Sequence, residues 1–189
     1  ADLGHEIRIV DTDESKVAQL NSGKTPIYEP ALEKLLQENR QRISATTDTR
    51  TAVLSSDITF ICVGTPSNSD GSINLDFVLS ASHDVGRALR DISGYHVVIV
   101  KSTVLPGTTT GLVKDVLEQV SGKKAFVDFG LASNPEFLRE GSAVGDFLKP
   151  DRIVVGASDP HSQQVLEEFY ADFTCPKLFS SIPVAEMIK

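Results

Sequence analysis

Asp57-Ile58-Thr59-Phe60-Ile61-Cys62-Val63-Gly64-Thr65-Pro66 is a nearly unbroken apolar run that ends on small and turn-forming residues. A strand reads this way when helices cover both of its faces, as in a parallel sheet. His96-Val97-Val98-Ile99-Val100 repeats the pattern and runs into Lys101-Ser102-Thr103-Val104-Leu105-Pro106-Gly107. Residues 76–89, between the two runs, and residues 109–120, after the second, space their apolar side chains as helices do. Further out, Glu6-Ile7-Arg8-Ile9-Val10-Asp11 is a short β-branched strand that ends in an acid. Residues 16–20 and 31–37 read as helices, with Pro30 suited to a first helical turn. Residues 125–132 and 153–156 are further strands and residues 161–169 a further helix. This βαβα alternation predicts an α/β protein with a doubly wound, mostly parallel sheet.

The bulk numbers narrow the class. With 189 residues, 40% of them hydrophobic, one domain of this size buries about 70% of its unfolded surface. A net charge of −8 and no basic stripe argue against a nucleic-acid partner. The two cysteines, Cys62 and Cys175, lie far apart and form no metal-ligand spacing. That fits a reducing compartment better than a disulfide-stapled domain. No apolar run approaches the ~20 residues of a membrane span, so a cytoplasmic protein is expected. Both ends read as lying inside helices, which makes an excerpt of a longer polypeptide the expectation. Residues 1–176 are expected to form one domain, with residues 177–189 a linker and the start of a central helix.

Three stretches fall at strand ends, where open α/β sheets bind ligands. Asp11 follows a strand and precedes a helix. In a Rossmann unit such an acid accepts hydrogen bonds from the adenosine ribose and repels the extra phosphate of NADP, which points to NAD. The alternative is an ordinary solvated Asp. No Gly-x-Gly-x-x-Gly occurs; the fold is expected to lack its first strand and glycine loop because these lie upstream of residue 1. Residues 62–66 and 101–107 offer small residues and hydroxyls, read either as a ligand cleft or as turn chemistry with Thr108 or Thr109 as a helix cap. The third stretch is Asn134-Pro135-Glu136-Phe137-Leu138-Arg139-Glu140-Gly141, running on to Pro150-Asp151-Arg152. Glu136 and Glu140 share one face if this segment is helical. Arg139 and Arg152 pair with Glu140 and Asp151 or clamp a phosphate. His5, His83, His96 and His161 read as structural or solvated, and Tyr28 as a packing element of a rigid turn.

Together these stretches resemble the UDP-glucose/GDP-mannose 6-dehydrogenases. The likeness rests on Gly4-His5 with Asp11 and Lys16, on Pro26-Ile27-Tyr28-Glu29-Pro30, on residues 62–66 and 101–107, on the Asn134–Gly141 block with Pro150-Asp151-Arg152, and on Ala185-Glu186-Met187-Ile188-Lys189. It implies an NAD-binding domain of an enzyme that oxidises a nucleotide sugar to a carboxylate with two NAD and one water. A cysteine outside this chain would capture the aldehyde, so the chain alone is expected to be inactive; neither Cys62 nor Cys175 matches, and both read as buried inert thiols. By resemblance, Glu136 handles protons and activates water, Thr103 positions that water, and Lys189 stabilises an oxyanion. Phe137, Leu138, Glu140 and Lys189 contact substrate; Asp11, Lys16, Thr65, Thr103 and Glu136 lie near the cofactor. Gly141 and the Pro150-Asp151-Arg152 run look more like the UDP-glucose branch than the GDP-mannose branch. GDP-mannose or a UDP-N-acetyl-hexosamine as donor, a two-electron 3-hydroxyacid-type dehydrogenase and a non-catalytic nucleotide-binding module are the other readings. Family members usually dimerise through the central helix, so a homodimer is expected.

Overall fold

The computed structural model describes all 189 residues, Ala1–Lys189. The chain divides into two compact units, Ala1–Ala52 with Leu138–Pro150, and Val53–Phe137 with Asp151–Lys189.

In the first unit β1 (Ile7–Val10) and β2 (Ile43–Thr46) pair in parallel, from Ile7 against Ile43 to Val10 against Thr46. Helix α1 (Glu14–Asn21) starts at Asp13, whose carboxylate accepts from the Ser15 and Lys16 amides. Its last residue ties it to β2: the Asn21 amide donates to Ala45 O and accepts from Ala45 N, both at 2.9 Å. Helix α2 (Leu32–Glu38) begins later than its proline predicts. Pro30 lies in the preceding turn, and Ala31 adopts φ 66° as the cap. Tyr28 is 92% exposed and packs on little. The neighbouring Glu29 fixes this segment instead, accepting from Gly141 N at 2.9 Å and Ala143 N at 2.8 Å, at the start of α6 (Ala143–Leu148). Helix α3 (Thr49–Leu54) leads out of the unit.

The second unit holds a five-stranded sheet ordered β3-β4-β5-β6-β7, formed by Ile58–Ile61, Val97–Val100, Gly130–Ser133, Ile153–Ala157 and Lys177–Ser180. Every strand pair but β5–β6 is parallel, so the mostly parallel, doubly wound α/β fold is the one expected. Val98 and Val100 of β4 face α4 (Asp76–Leu89) and α5 (Lys114–Ser121) in a core with Val85, Leu89, Leu117 and Leu131. On the other face Phe60 meets Phe169 of α7 (Pro160–Phe169) at 5.4 Å, and α8 (Ile182–Ile188) lies along β5 and β6. All four β4 side chains are buried, while the first three of β3 are only half-buried because β3 is an end strand paired on one side. Residues 125–129 are not strand: Phe126 sits at φ 66° and its amide bonds to Phe129 O, closing a turn ahead of β5.

One reversal positions the site. β5 and β6 are antiparallel, with Ser133 opposite Gly156, so the residues entering β6 emerge at the edge where β5 ends. β7 runs parallel to β6, and α8 turns back toward that same edge. The helix lies very close to the sheet: a Cβ on Gly156 would stand 2.6 Å from Ile182 Cα and 2.8 Å from Ala185 Cβ. Residues 177–189 are thus an edge strand followed by a helix that ends at the β5 edge.

Candidate active site

The edge beyond β5 is organised by Asn134, which is buried and has a partner at each of its polar atoms. Its amide N continues the ladder to Val100 O at 2.9 Å, and its Nδ2 donates to Val154 O at 2.7 Å. Its Oδ1 accepts from Lys101 Nζ at 2.9 Å and from the Tyr170 hydroxyl at 2.5 Å. Pro135 follows, and with no N–H it cannot extend the strand. The chain leaves the sheet here, and Glu136 and Phe137 project from the corner.

Glu136 meets Lys189, which immediately follows α8. Lys189 Nζ donates to Glu136 Oε1 at 2.8 Å and to the Glu136 carbonyl at 2.5 Å. The Phe137 ring carries the Arg152 guanidinium 4.4 Å from its centroid and Lys189 Nζ at 5.4 Å. Such cation–aromatic contacts hold rings in place. The antiparallel β6 delivers Arg152 here, so it pairs with an aromatic face and not with Asp151. Thr65 Oγ1 donates to Thr103 O at 2.9 Å, linking the loops after β3 and β4, and Ser102 Oγ donates to Val63 O at 2.7 Å. The second unit therefore brings together Glu136 with Lys189 and Phe137, and Thr65 with Thr103.

Residues 134–139 form no helix, so the geometry that would align Glu136 with Glu140 is absent. Leu138 and Glu140 fall in the first unit and are exposed. Arg139 binds Asp146 through Nη2 at 2.7 Å and Nε at 3.1 Å, replacing the expected Glu140 partner. These bonds hold the Asp146 carboxyl well below the usual carboxylate range. Also in the first unit, Asp11 follows β1 and lies 3.5 Å from Lys16 Nζ, with its Oδ1 accepting from Asp13 N at 2.9 Å. The side chain is one-third exposed and can accept further bonds from a diol. A nicotinamide dinucleotide fits this placement, with Asp11 and Lys16 available to its ribose.

Cys62 corrects one expectation, because its residue is exposed and not enclosed. Its thiol is nevertheless crowded on the inner side, and that burial raises it above the ordinary value against the lowering influence of Lys101. A raised thiol is a poor nucleophile. His96 is buried, with Nε2 2.8 Å from Thr59 Oγ1, and burial lowers it to about 4. His161 stacks on Tyr95 at 4.3 Å.

The sequence reading missed Glu186. Its carboxylate, 4% exposed, accepts from Gly107 N at 2.6 Å and Thr109 N at 2.9 Å, where a π-helical turn (Thr109–Val113) leads into α5. Neither Thr108 nor Thr109 caps that helix; Glu186 does. The available signal was an acid sharing the buried face of α8 with Ile182 and Ala185. Lys101 and Asn134 were visible only as members of longer motifs.

Comparison with known proteins gives a consistent answer. The model of the UDP-glucose/GDP-mannose dehydrogenase family, NAD binding domain, matches residues 1–174. A GDP-mannose 6-dehydrogenase of Pseudomonas aeruginosa is 47% identical over 188 residues, covering 98% of this chain and 43% of the relative. The UDP-glucose 6-dehydrogenase AglM of Haloferax volcanii is 42% identical, covering 100% and 45%. Among solved structures, a ternary complex of GDP-mannose dehydrogenase from Pseudomonas aeruginosa superposes with TM-score 0.98 at 47% identity, covering 100% of this chain and 44% of the other. The chain thus spans less than half the length of the relatives it matches.

Proposed function

Because this chain belongs to the UDP-glucose/GDP-mannose dehydrogenase family and carries its NAD-binding domain, we propose that it is the cofactor half of a nucleotide-sugar 6-dehydrogenase. The single observation that carries the proposal is the Glu136–Lys189 contact at 2.8 Å, beside the loops that follow β3 and β4. Bound NAD supplies the hydride acceptor. Glu136 takes and returns protons and activates a water, which is work for a carboxylate beside a fixed cation. Lys189 offsets negative charge on the substrate oxygen as it is oxidised. The Thr103 hydroxyl orients the water, and the Thr65 bond to Thr103 O supports the loop that carries it. Phe137 and Leu138 line the sugar, and Glu140 and Lys189 complete the substrate contacts. Asp11 and Lys16 bind the adenosine ribose, while Thr65, Thr103 and Glu136 lie toward the cofactor. Helix α8 is the start of a central helix through which the whole protein forms a homodimer.

The sugar is UDP-glucose or GDP-mannose. Gly141 and Pro150-Asp151-Arg152 favour the first; the 47% identity to a GDP-mannose 6-dehydrogenase favours the second. NADH yield from the whole protein with limiting donor tests both. Two NADH per sugar with one donor supports the four-electron reaction and names the substrate. One NADH per sugar indicates a two-electron dehydrogenase, and none with any donor overturns the assignment.

A further inference from the structure

We propose that Lys101 is a positioning residue for Glu136: it clamps both oxygens of Asn134 and supplies a second positive charge behind the Glu136–Lys189 pair. The inference rests on the functional reading of Glu136 but concerns a side chain that reading leaves without a role. Lys101 immediately follows β4, and its Nζ reaches Asn134 Oδ1 at 2.9 Å and Asn134 O at 3.4 Å. Only Pro135 separates Asn134 from Glu136. Asn134 has no spare freedom, because Val154 O, Val100 O and Tyr170 hold its other groups. The Lys101 ammonium therefore holds the corner at Asn134, as Lys189 holds it at the Glu136 carbonyl.

Four titratable groups surround it: Cys62 after β3, Glu136 after β5, Tyr170 after α7 and Lys189 after α8. Burial lowers the Lys101 ammonium from its usual range; Cys62 and Glu136 oppose that shift and Lys189 reinforces it. Burial also raises the Tyr170 hydroxyl, so it donates to Asn134 as a neutral phenol. Lys101 consequently gives up its proton at lower pH than a surface lysine. Its clamp on Asn134 then loses its charge.

The test compares Lys101→Met and Lys101→Arg with the unaltered form, each in the whole protein, across neutral and alkaline pH. Lys101→Met should lower kcat by about tenfold to a hundredfold, the scale expected when a reacting group is displaced by up to an ångström, with KM for NAD unchanged. Lys101→Arg should restore most of kcat at neutral pH and carry the alkaline limb upward, because a guanidinium keeps its charge. Wild-type kcat and pH profile in Lys101→Met would overturn the proposal. So would a lowered melting temperature in both variants with no movement of the pH profile, since that marks a structural lysine only. A second readout needs no turnover: the pH dependence of Cys62 alkylation, followed on its own peptide. Losing the Lys101 charge should move that dependence to higher pH, and an unmoved curve would sink the charge assignment. Failure of the unaltered protein to oxidise any nucleotide sugar, with the alkylation shift present, would count against the dehydrogenase reading and leave the Lys101 placement standing.

Discussion

Lys189 Nζ bonds to the side chain and to the backbone carbonyl of Glu136, 53 residues away, so one ammonium fixes both the carboxylate and its anchor. Lys189→Met should cost about 10²–10³ in kcat, as losing a preorganised oxyanion donor does, and leave NAD affinity within about twofold. Steady-state kinetics paired with an NADH fluorescence titration would check this. A matching loss of NAD affinity would show that Lys189 serves the cofactor and not the chemistry.

Glu186 predicts a stability effect. Glu186→Ala removes the acceptor of two amides, one of them in a buried residue, and should destabilise by about 3 kcal/mol. Glu186→Gln keeps one acceptor oxygen and should cost less. Urea unfolding midpoints decide; equal midpoints for Ala and wild type would refute the capping role.

His96 makes stability depend on pH. Its folded value of about 4 lies below its unfolded value of 6.5, so on acidification the unfolded chain takes up a proton first. Stability present above pH 6.5 falls as the pH drops toward 4, by about 3 kcal/mol in all. His96→Asn should flatten this part of the curve. Denaturation at several pH values across the window is the check, and an unchanged slope would exclude His96 as its source.

At Gly156 the prediction is steric. The added methyl of Gly156→Ala would meet the α8 backbone at 2.6 Å, well inside contact distance. The helix must shift, at about 1–3 kcal/mol for overpacking, and Lys189 shifts with it. A fall in both melting temperature and kcat is expected, whereas Gly94→Ala, which meets nothing within 4 Å, should change neither.

Asp11 tests cofactor choice. Asp11→Asn should weaken NAD binding by about tenfold, roughly 1.4 kcal/mol, and narrow the preference over NADP, because the repelling charge is gone. Titrations with NADH and NADPH give both numbers. A retained preference would place the discriminating group elsewhere.

The sequence was legible where a pattern is local. β3, β4, β6, α4 and α7 lie where apolar runs and helical spacing put them, because burial on both sheet faces imposes those patterns. β2, Ile43-Ser44-Ala45-Thr46, and β7, Lys177-Leu178-Phe179-Ser180, went unread because short strands with polar residues on one face look like loop. The reversal of β6 left no trace, since strand direction is decided by tertiary pairing. So was the neighbourhood of Arg152 and Phe137, which that reversal creates. Glu136 and Lys189 were reached through resemblance to a family, and only folding shows that they touch. Glu186 was overlooked because a buried acid satisfied by backbone amides looks, in sequence, like any acid on a helix.

The Glu186 cap has a wider meaning for how anions are received. The first amides of the helical stretch after β4 form the kind of positive cradle that commonly holds a phosphate group. Here the protein's own carboxylate already fills it. Those amides are answered from within, and a diphosphate would have to evict a buried side chain to use them.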